Sequence, residues 1–255
     1  MAETNKYNFL RWSNSSNESL VNFTQLPEPN IKCTQPILVS GETTTFYWNH
    51  DGNAAYSGNI SLCDLAGSVV SANIGTMTAF THANGTHATG TLTCPNVPQG
   101  FYKLSLSGGA TTFSNIVEVI TDTNLIAETG VFEFWDTKQI RQFKYPYLTN
   151  FKQKFRLRYD RGNGQYFREQ QVQTYINGTD KSISERSYKY FKIKILEADE
   201  SMSDAIDAML SHSYLKINGN LFDFRNDSGV TVTRENEVLG PVEFEVKYNY
   251  NRVTC

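Results

Sequence analysis

The sequence predicts a mostly β protein, a β-sandwich followed by an antiparallel, β-rich α+β domain that holds one short helix. Three observations carry this. Between Ile31 and Ile120, short β-rich runs separated by turn residues recur about every ten positions, the spacing of a sandwich. From residue 151 onward, several segments alternate between apolar and charged side chains, the period of half-buried strands. One window, near 201–212, instead spaces its apolar residues at the helical period.

At 255 residues the chain is long enough for two units that each bury a core. The division expected is an N-terminal arm over 1–27, the sandwich over 28–122 and the antiparallel sheet domain over 123–255. With 16 Phe and 14 Tyr the chain has the apolar mass that a disordered chain lacks. The arm is polar and Asn/Ser-rich, but Phe9, Leu10, Trp12, Leu20 and Phe23 interrupt it. Such side chains either dock on a partner or pack along their own domain.

The sandwich strands are expected in IKCTQPILV, TTTFYWN, GNISLCD, GSVVSANI, HATGTLTC, FYKLSLS and NIVEVI. Within them Phe46 and Trp48 alternate with Thr45 and Tyr47, and Ile60 and Leu62 with Asn59 and Ser61. Trp48 is thereby a core aromatic. Pro98-Gln-Gly-Phe-Tyr sets a turn ahead of a strand with Tyr102, Leu104 and Leu106 on one face. In order, Gly41, Trp48, Asp64 with Gly67, Gly100-Phe101-Tyr102-Lys103-Leu104 and Ser114-Asn115-Ile116-Val117 resemble a bacterial or phage immunoglobulin-like module. That resemblance covers about 90 residues and speaks to fold rather than to activity.

After a joint near 121–130 the composition shifts toward Lys, Arg, Phe and Tyr. Phe151, Phe155, Leu157 and Tyr159 fall on one face of a strand; Lys152, Lys154, Arg156 and Arg158 fall on the other. The turn Arg161-Gly-Asn-Gly164 then predicts a hairpin in which QYFREQQVQTYI returns against this strand. In YKYFKIKIL, Phe191, Ile193 and Ile195 separate from Lys192 and Lys194. The helix is expected to start with Ser201 as cap and Asp204 in its first turn, presenting Met202, Ala205, Ile206, Met209 and Leu210. His212 then suits its negative end. Asn218-Gly219 marks a two-residue hairpin turn, and Val242, Phe244, Val246, Tyr248 and Tyr250 alternate along the last strand.

No catalytic or cofactor chemistry is legible. His50, His82, His87 and His212 lie in no Ser/His/acid or Cys/His pattern, and neither a G-x-S-x-G elbow nor a phosphate-binding Gly-rich loop occurs. The carboxylate pairs Glu133/Asp136 and Asp223/Asp227 are what a chain with 26 acidic residues offers by chance. Asn226-Asp-Ser-Gly229 lacks the Glu of a calcium loop. Cys33, Cys63, Cys94 and Cys255 have no CxxC spacing and read as reduced core thiols, with no metal and no cofactor expected. The start MAETNKYNFLRW has no apolar signal region, and no run reaches the ~18 apolar residues of a membrane span. A soluble product made in a cytoplasm is expected, with its Asn-X-Ser/Thr sites unmodified.

The net charge of −3 gives no general pull toward nucleic acid, but the charge is uneven. Residues 1–122 carry four Lys/Arg against eight Asp/Glu, and 136–199 carry fourteen against seven. The residues with the best claim to function are Lys152, Lys154, Arg156 and Arg158 with Arg161 and Arg168 nearby, extended by Lys192 and Lys194. This basic stripe pairs with an acidic neighbour subunit or a phosphate backbone, or simply keeps an exposed sheet face and edge soluble.

The runs FKYPYLTNFKQKFRLRYDRGNG, TYING, SERSYKYFKIKILEADE and SYLKINGNLFDF resemble virion tail or ring proteins of tailed phages of gut Bacteroidetes, the crAss-like group among them. The resemblance spans about 120 residues and rests on texture and element order. It implies a non-enzymatic component of a tail ring, collar or baseplate, assembled in the host cytoplasm. Its partners would be copies of itself and other tail proteins, with no membrane. The rival expectation is a carbohydrate-binding or adhesion module that stacks sugars on Trp12, Tyr47, Tyr56, Tyr145 and Tyr147.

Overall fold

The computed structural model describes residues 9–10, 12–14, 35–50, 57–82, 85–107, 112–135, 151–224, 230–232 and 240–248. The protein is mostly β, with two helices, and an eight-stranded closed barrel is extended by further strands. The barrel is built from β2 (Ile37–Val39), β3 (Thr43–His50), β4 (Gly58–Cys63), β5 (Val69–His82), β6 (Gly85–Thr93), β7 (Gly100–Ser107), β8 (Thr112–Ile120) and β10 (Gln153–Arg158). Hydrogen-bonded neighbours run β2, β10, β3, β6, β5, β4, β7, β8 and back to β2, antiparallel except for the parallel β8–β2 pair. Two strands close the ring. The long β5 pairs with β4 through its first part and β6 through its second, and β10 bridges β2, through Arg156↔Ile37, to β3, through Lys154↔Thr45.

Period-two patterning places Phe46, Ile60, Leu62, Leu104 and Leu106 inside, each almost wholly buried. Tyr47 and Ser61, expected to face water, are buried as well. For Tyr47 the cause is β10, whose Gln153 accepts the Tyr47 backbone N–H through Oε1 at 3.2 Å. The side chain of Trp48 lies outside the described residues, as do Cys33 and Cys255.

The other edge of β10 opens a second sheet. It pairs with β9 (Thr129–Trp135), and β9 pairs with β14 (Tyr214–Ile217), which turns back into β15 (Asn220–Phe224). Next come β17 (Gly240–Tyr248), with β16 (Val230–Val232) continuing the line of β15, then β13 (Asp180–Ala198), and finally β12 (Gln165–Thr174) with the short β11 (Asp160–Arg161). Every pairing is antiparallel. Val242, Phe244 and Val246 are buried as the alternation predicts. Asn218 (φ 49°) and Gly219 (φ 79°) form the left-handed pair of the tight hairpin turn.

The structure corrects three expectations. The strand at 153–158 does not form a hairpin with 165–174; it pairs with β9, β2 and β3, and β12 pairs with β13 through a turn at Tyr175–Thr179. The glycines around Asn163 serve close approach instead: Gly162 N–H donates to Lys192 O at 2.9 Å, and a Cβ on Gly164 would meet Lys189 Cε at 2.2 Å. The main helix, α2 (Glu200–Leu210), is capped by Asp199 rather than Ser201, its carboxylate accepting Met202 N–H at 2.6 Å. The joint near 121–130 contains a one-turn helix, α1 (Thr123–Ala127), capped by Asp122.

Met202, Ala205, Ile206, Met209 and Leu210 bury the apolar face of α2 against the sheet. At its end His212 Nδ1 meets Ala208 O at 2.8 Å, in keeping with the expected capping role, and the buried ring packs edge-on against Phe134 at 4.8 Å. One apolar cluster runs through barrel and sheet. The described part of the N-terminal arm stitches the two together. Phe9 packs on Phe155 and Phe134 (4.8 and 6.1 Å), Trp12 packs on Phe46 (6.1 Å), and β1 (Trp12–Asn14) pairs with β8.

Candidate interaction surface

Phe155 and Leu157 fill the core side of β10, so Lys154, Arg156 and Arg158 must project from the opposite side, with Lys152 just before the strand. The two arginines are engaged within the chain. Arg156 grips Glu42 at two points, Nε to Oε2 at 2.9 Å and Nη2 to Oε1, and its Nη1 donates to Thr129 Oγ1 at 2.7 Å. Arg158 grips Glu118 likewise, Nη2 to Oε1 at 2.7 Å and Nη1 to Oε2. The hydrogen bonds to Glu118 hold the Arg158 guanidinium above its ordinary pKa, against the burial that lowers it. The acidic neighbour of these two cations is therefore the barrel of the same chain. Paired bidentate contacts of this kind combine geometry with charge, and they fasten β10 to the loop after β2 and to β8.

Lys152 and Lys154 remain toward solvent. Lys152 Nζ lies 3.3 Å from Glu133 and 4.6 Å from the centre of the Trp135 ring, which Lys216 approaches to 5.7 Å and on which Tyr214 stacks at 5.1 Å. Beside them lies an open groove of about 400 Å³ lined by Thr45, Thr91, Glu133, Phe151, Lys152 and Lys154. Arg161 sits apart, over the Phe191 ring at 4.9 Å. Arg168 belongs to β12, across from Ser187, and its side chain lies outside the described residues. Lys192 and Lys194 both reach Glu243 on the neighbouring β17, at 2.5 and 3.6 Å. The Lys192 hydrogen bond, before the fields of both lysines, holds the Glu243 carboxyl below its usual range.

The most prominent surface feature had no counterpart in the sequence reading. From Gln165↔Tyr190 to Thr174↔Asp180, β12 and β13 pair with each other, and β13 joins β17 only from Tyr190 onward. The hairpin thus projects as a two-stranded ribbon of about 30 Å. Its tip is built from its own bonds. Tyr175 N–H donates to Thr179 O (2.9 Å), Gly178 N–H donates to Tyr175 O (2.8 Å), and Asn177 Oδ1 accepts from Thr179 N–H (3.1 Å) and Oγ1 (2.5 Å). That ordered tip presents apolar groups to water: Ile176 is fully exposed, with Val172 and Tyr175 also exposed and Tyr166 so near the base. The base is held by Lys189 Nζ over the rings of Tyr166 (5.3 Å) and Phe191 (5.1 Å), and by Lys247 Nζ over Tyr188 (3.2 Å). The available signal was the Asn177-Gly178-Thr179 turn between two long polar β-runs.

Of the aromatics named as sugar platforms, Trp12 and Tyr47 are buried, and burial raises the Tyr47 hydroxyl pKa. Tyr56, Tyr145 and Tyr147 lie outside the described residues, as do the side chains of His82 and His87, the acids Asp136 and Asp227, and the segment 226–229. Among the described residues no group of three or more His, Cys, Asp or Glu could hold a metal ion. Cys63 and Cys94 are buried free thiols, and burial, with the Glu42 charge adding, pushes Cys94 up to about 11. The chain matches no protein-family model, no curated protein and no solved structure.

Proposed function

We propose that the chain is a non-enzymatic structural subunit of a tailed-phage virion, part of a tail ring, collar or baseplate, working through contacts with copies of itself and with other tail proteins. The observation that carries the assembly role is the projecting β12–β13 ribbon. A two-stranded ribbon is marginal in water by itself, and an ordered apolar tip held away from the body gains burial only against another molecule. The resemblance of the C-terminal segments to phage tail and ring proteins supplies the class of particle. Buried free thiols at Cys63 and Cys94 suit assembly in a reducing host cytoplasm.

The first half reads as an immunoglobulin-like sandwich. In that reading β3 and β6 belong to one sheet, β4, β7 and β8 to the other, and β2 is the short strand that switches to run parallel to β8. Tyr102, near the start of β7, supports it: its hydroxyl donates to Pro98 O at 2.9 Å, the corner that this fold places before its sixth strand. The sugar-binding alternative loses Trp12 and Tyr47, both buried.

Immunogold electron microscopy with antibodies to this chain tests the proposal. Label confined to the tail or neck of particles is expected. Particles without label, alongside free protein in the lysate, would overturn it.

A further inference from the structure

We propose that the β12–β13 ribbon is the self-assembly element of this chain, and that its two edges pair with the ribbons of neighbouring copies, β12 of one beside the distal part of β13 of the next. This deepens the assembly reading by naming the contact and its occupant. Among the described residues, no strand pairs with the outer edge of β12 over Gln165–Gln173 or with that of β13 over Lys181–Lys189. Each edge offers a row of backbone donors and acceptors, the template on which strands add.

The ribbon itself argues for a second copy. Its two edges are equally long and face opposite ways, so one foreign strand would cover one and leave the other open. Copies of the ribbon cover both through a single repeating contact. Because β12 and β13 are antiparallel, β12 beside a neighbour's β13 continues an all-antiparallel sheet, with about one main-chain hydrogen bond for each residue pair. The contact is head-to-tail and closes into a ring when its rotation allows. Charge permits it: residues 165–189 carry Arg168, Lys181, Arg186 and Lys189 against Glu169, Asp180 and Glu185, so copies meet without a strong like-charge field. The register shift between Gln171 and Val172 adds the local twist and bend by which sheets curl toward closure. The self-bonded tip holds Ile176 at one end of every such contact.

The test compares the full chain with a variant in which residues 168–187 are replaced by Asn-Gly, so that Phe167 and Tyr188, already a cross-strand pair, flank a two-residue turn. Native mass spectrometry and sedimentation velocity are expected to give oligomers for the full chain and monomers for the variant, which should still unfold in one cooperative transition. Hydrogen exchange on the full chain supplies a readout that does not depend on the variant folding. Amides of 165–173 and 181–189 should be protected in the oligomer and lose that protection on dilution. A full chain that stays monomeric at high concentration overturns the inference, while labelling of particles still decides the virion role. Oligomers that persist in the shortened variant, or ribbon amides equally protected in monomer and oligomer, overturn the ribbon as the contact and leave an assembling subunit.

Discussion

Arg158 holds Glu118 in a two-point grip, 2.7 Å at the Nη2–Oε1 contact, and both side chains are largely withdrawn from water. The bond joins β10 to β8 across the line where the barrel closes. Removing one partner strands a desolvated charge, whereas replacing both by apolar groups of similar volume costs little. Arg158→Met is expected to cost about 3 kcal/mol in urea unfolding. The double variant with Glu118→Leu should recover most of that loss. A single variant as stable as the parent would show that the grip does not hold β10.

Val246 lies on the central strand of the second sheet, across from Phe191 on β13 and Phe224 on β15, and is fully buried. Val246→Asp puts an unpaired carboxylate there and is expected to cost at least about 4 kcal/mol. Circular dichroism of a folded variant of equal stability would contradict the strand register.

How far the sequence reached is clearest on β10. Its alternation was legible because a period-two pattern is local, and Phe155 and Leu157 are indeed inward. Its partners were not legible, because Glu42 and Glu118 lie 114 and 40 residues from the arginines they bind. The uneven charge along the sequence is in part self-complementary: acids of the first half neutralise cations of the second. The Asn218-Gly219 turn was readable since only backbone conformation decides it. Arg161-Gly-Asn-Gly164 misled for the same reason. Its glycines resemble a hairpin turn but answer to the crowding of Lys189 and Lys192, a tertiary demand. The ribbon escaped notice because its strands show no apolar period.

Glu243 supplies a pH signature. Its folded-state pKa is depressed by Lys192 first and Lys194 second, so its contribution is fully present above the unfolded carboxyl value of about 4.3 and is lost as pH falls through the lower folded value. Glu243→Gln is therefore expected to be less stable than the parent at pH 6, by under about 1 kcal/mol for so exposed a pair, with the gap closing below pH 4. Unfolding curves at the two pH values check this. A gap that widens in acid would contradict it.

Lys152 and Lys154 are the part of the basic stripe still turned outward. Charge reversal at Lys154 and Arg156 together would confound contact with folding, since Arg156 is bound to Glu42. Lys152→Glu with Lys154→Glu separates the two. Stability should fall by no more than about 1 kcal/mol, the scale of exposed pairs, while binding to an acidic tail partner weakens several-fold. Pull-down of tail proteins at parental yield would leave these lysines a solubility role alone.

The central claim, that this chain is a repeated structural part of a virion, is tested most directly by quantitative mass spectrometry of purified particles. The account predicts the chain in every particle at a fixed stoichiometry of several copies per tail. Its absence from particles, with abundant chain in the infected-cell lysate, would contradict the account.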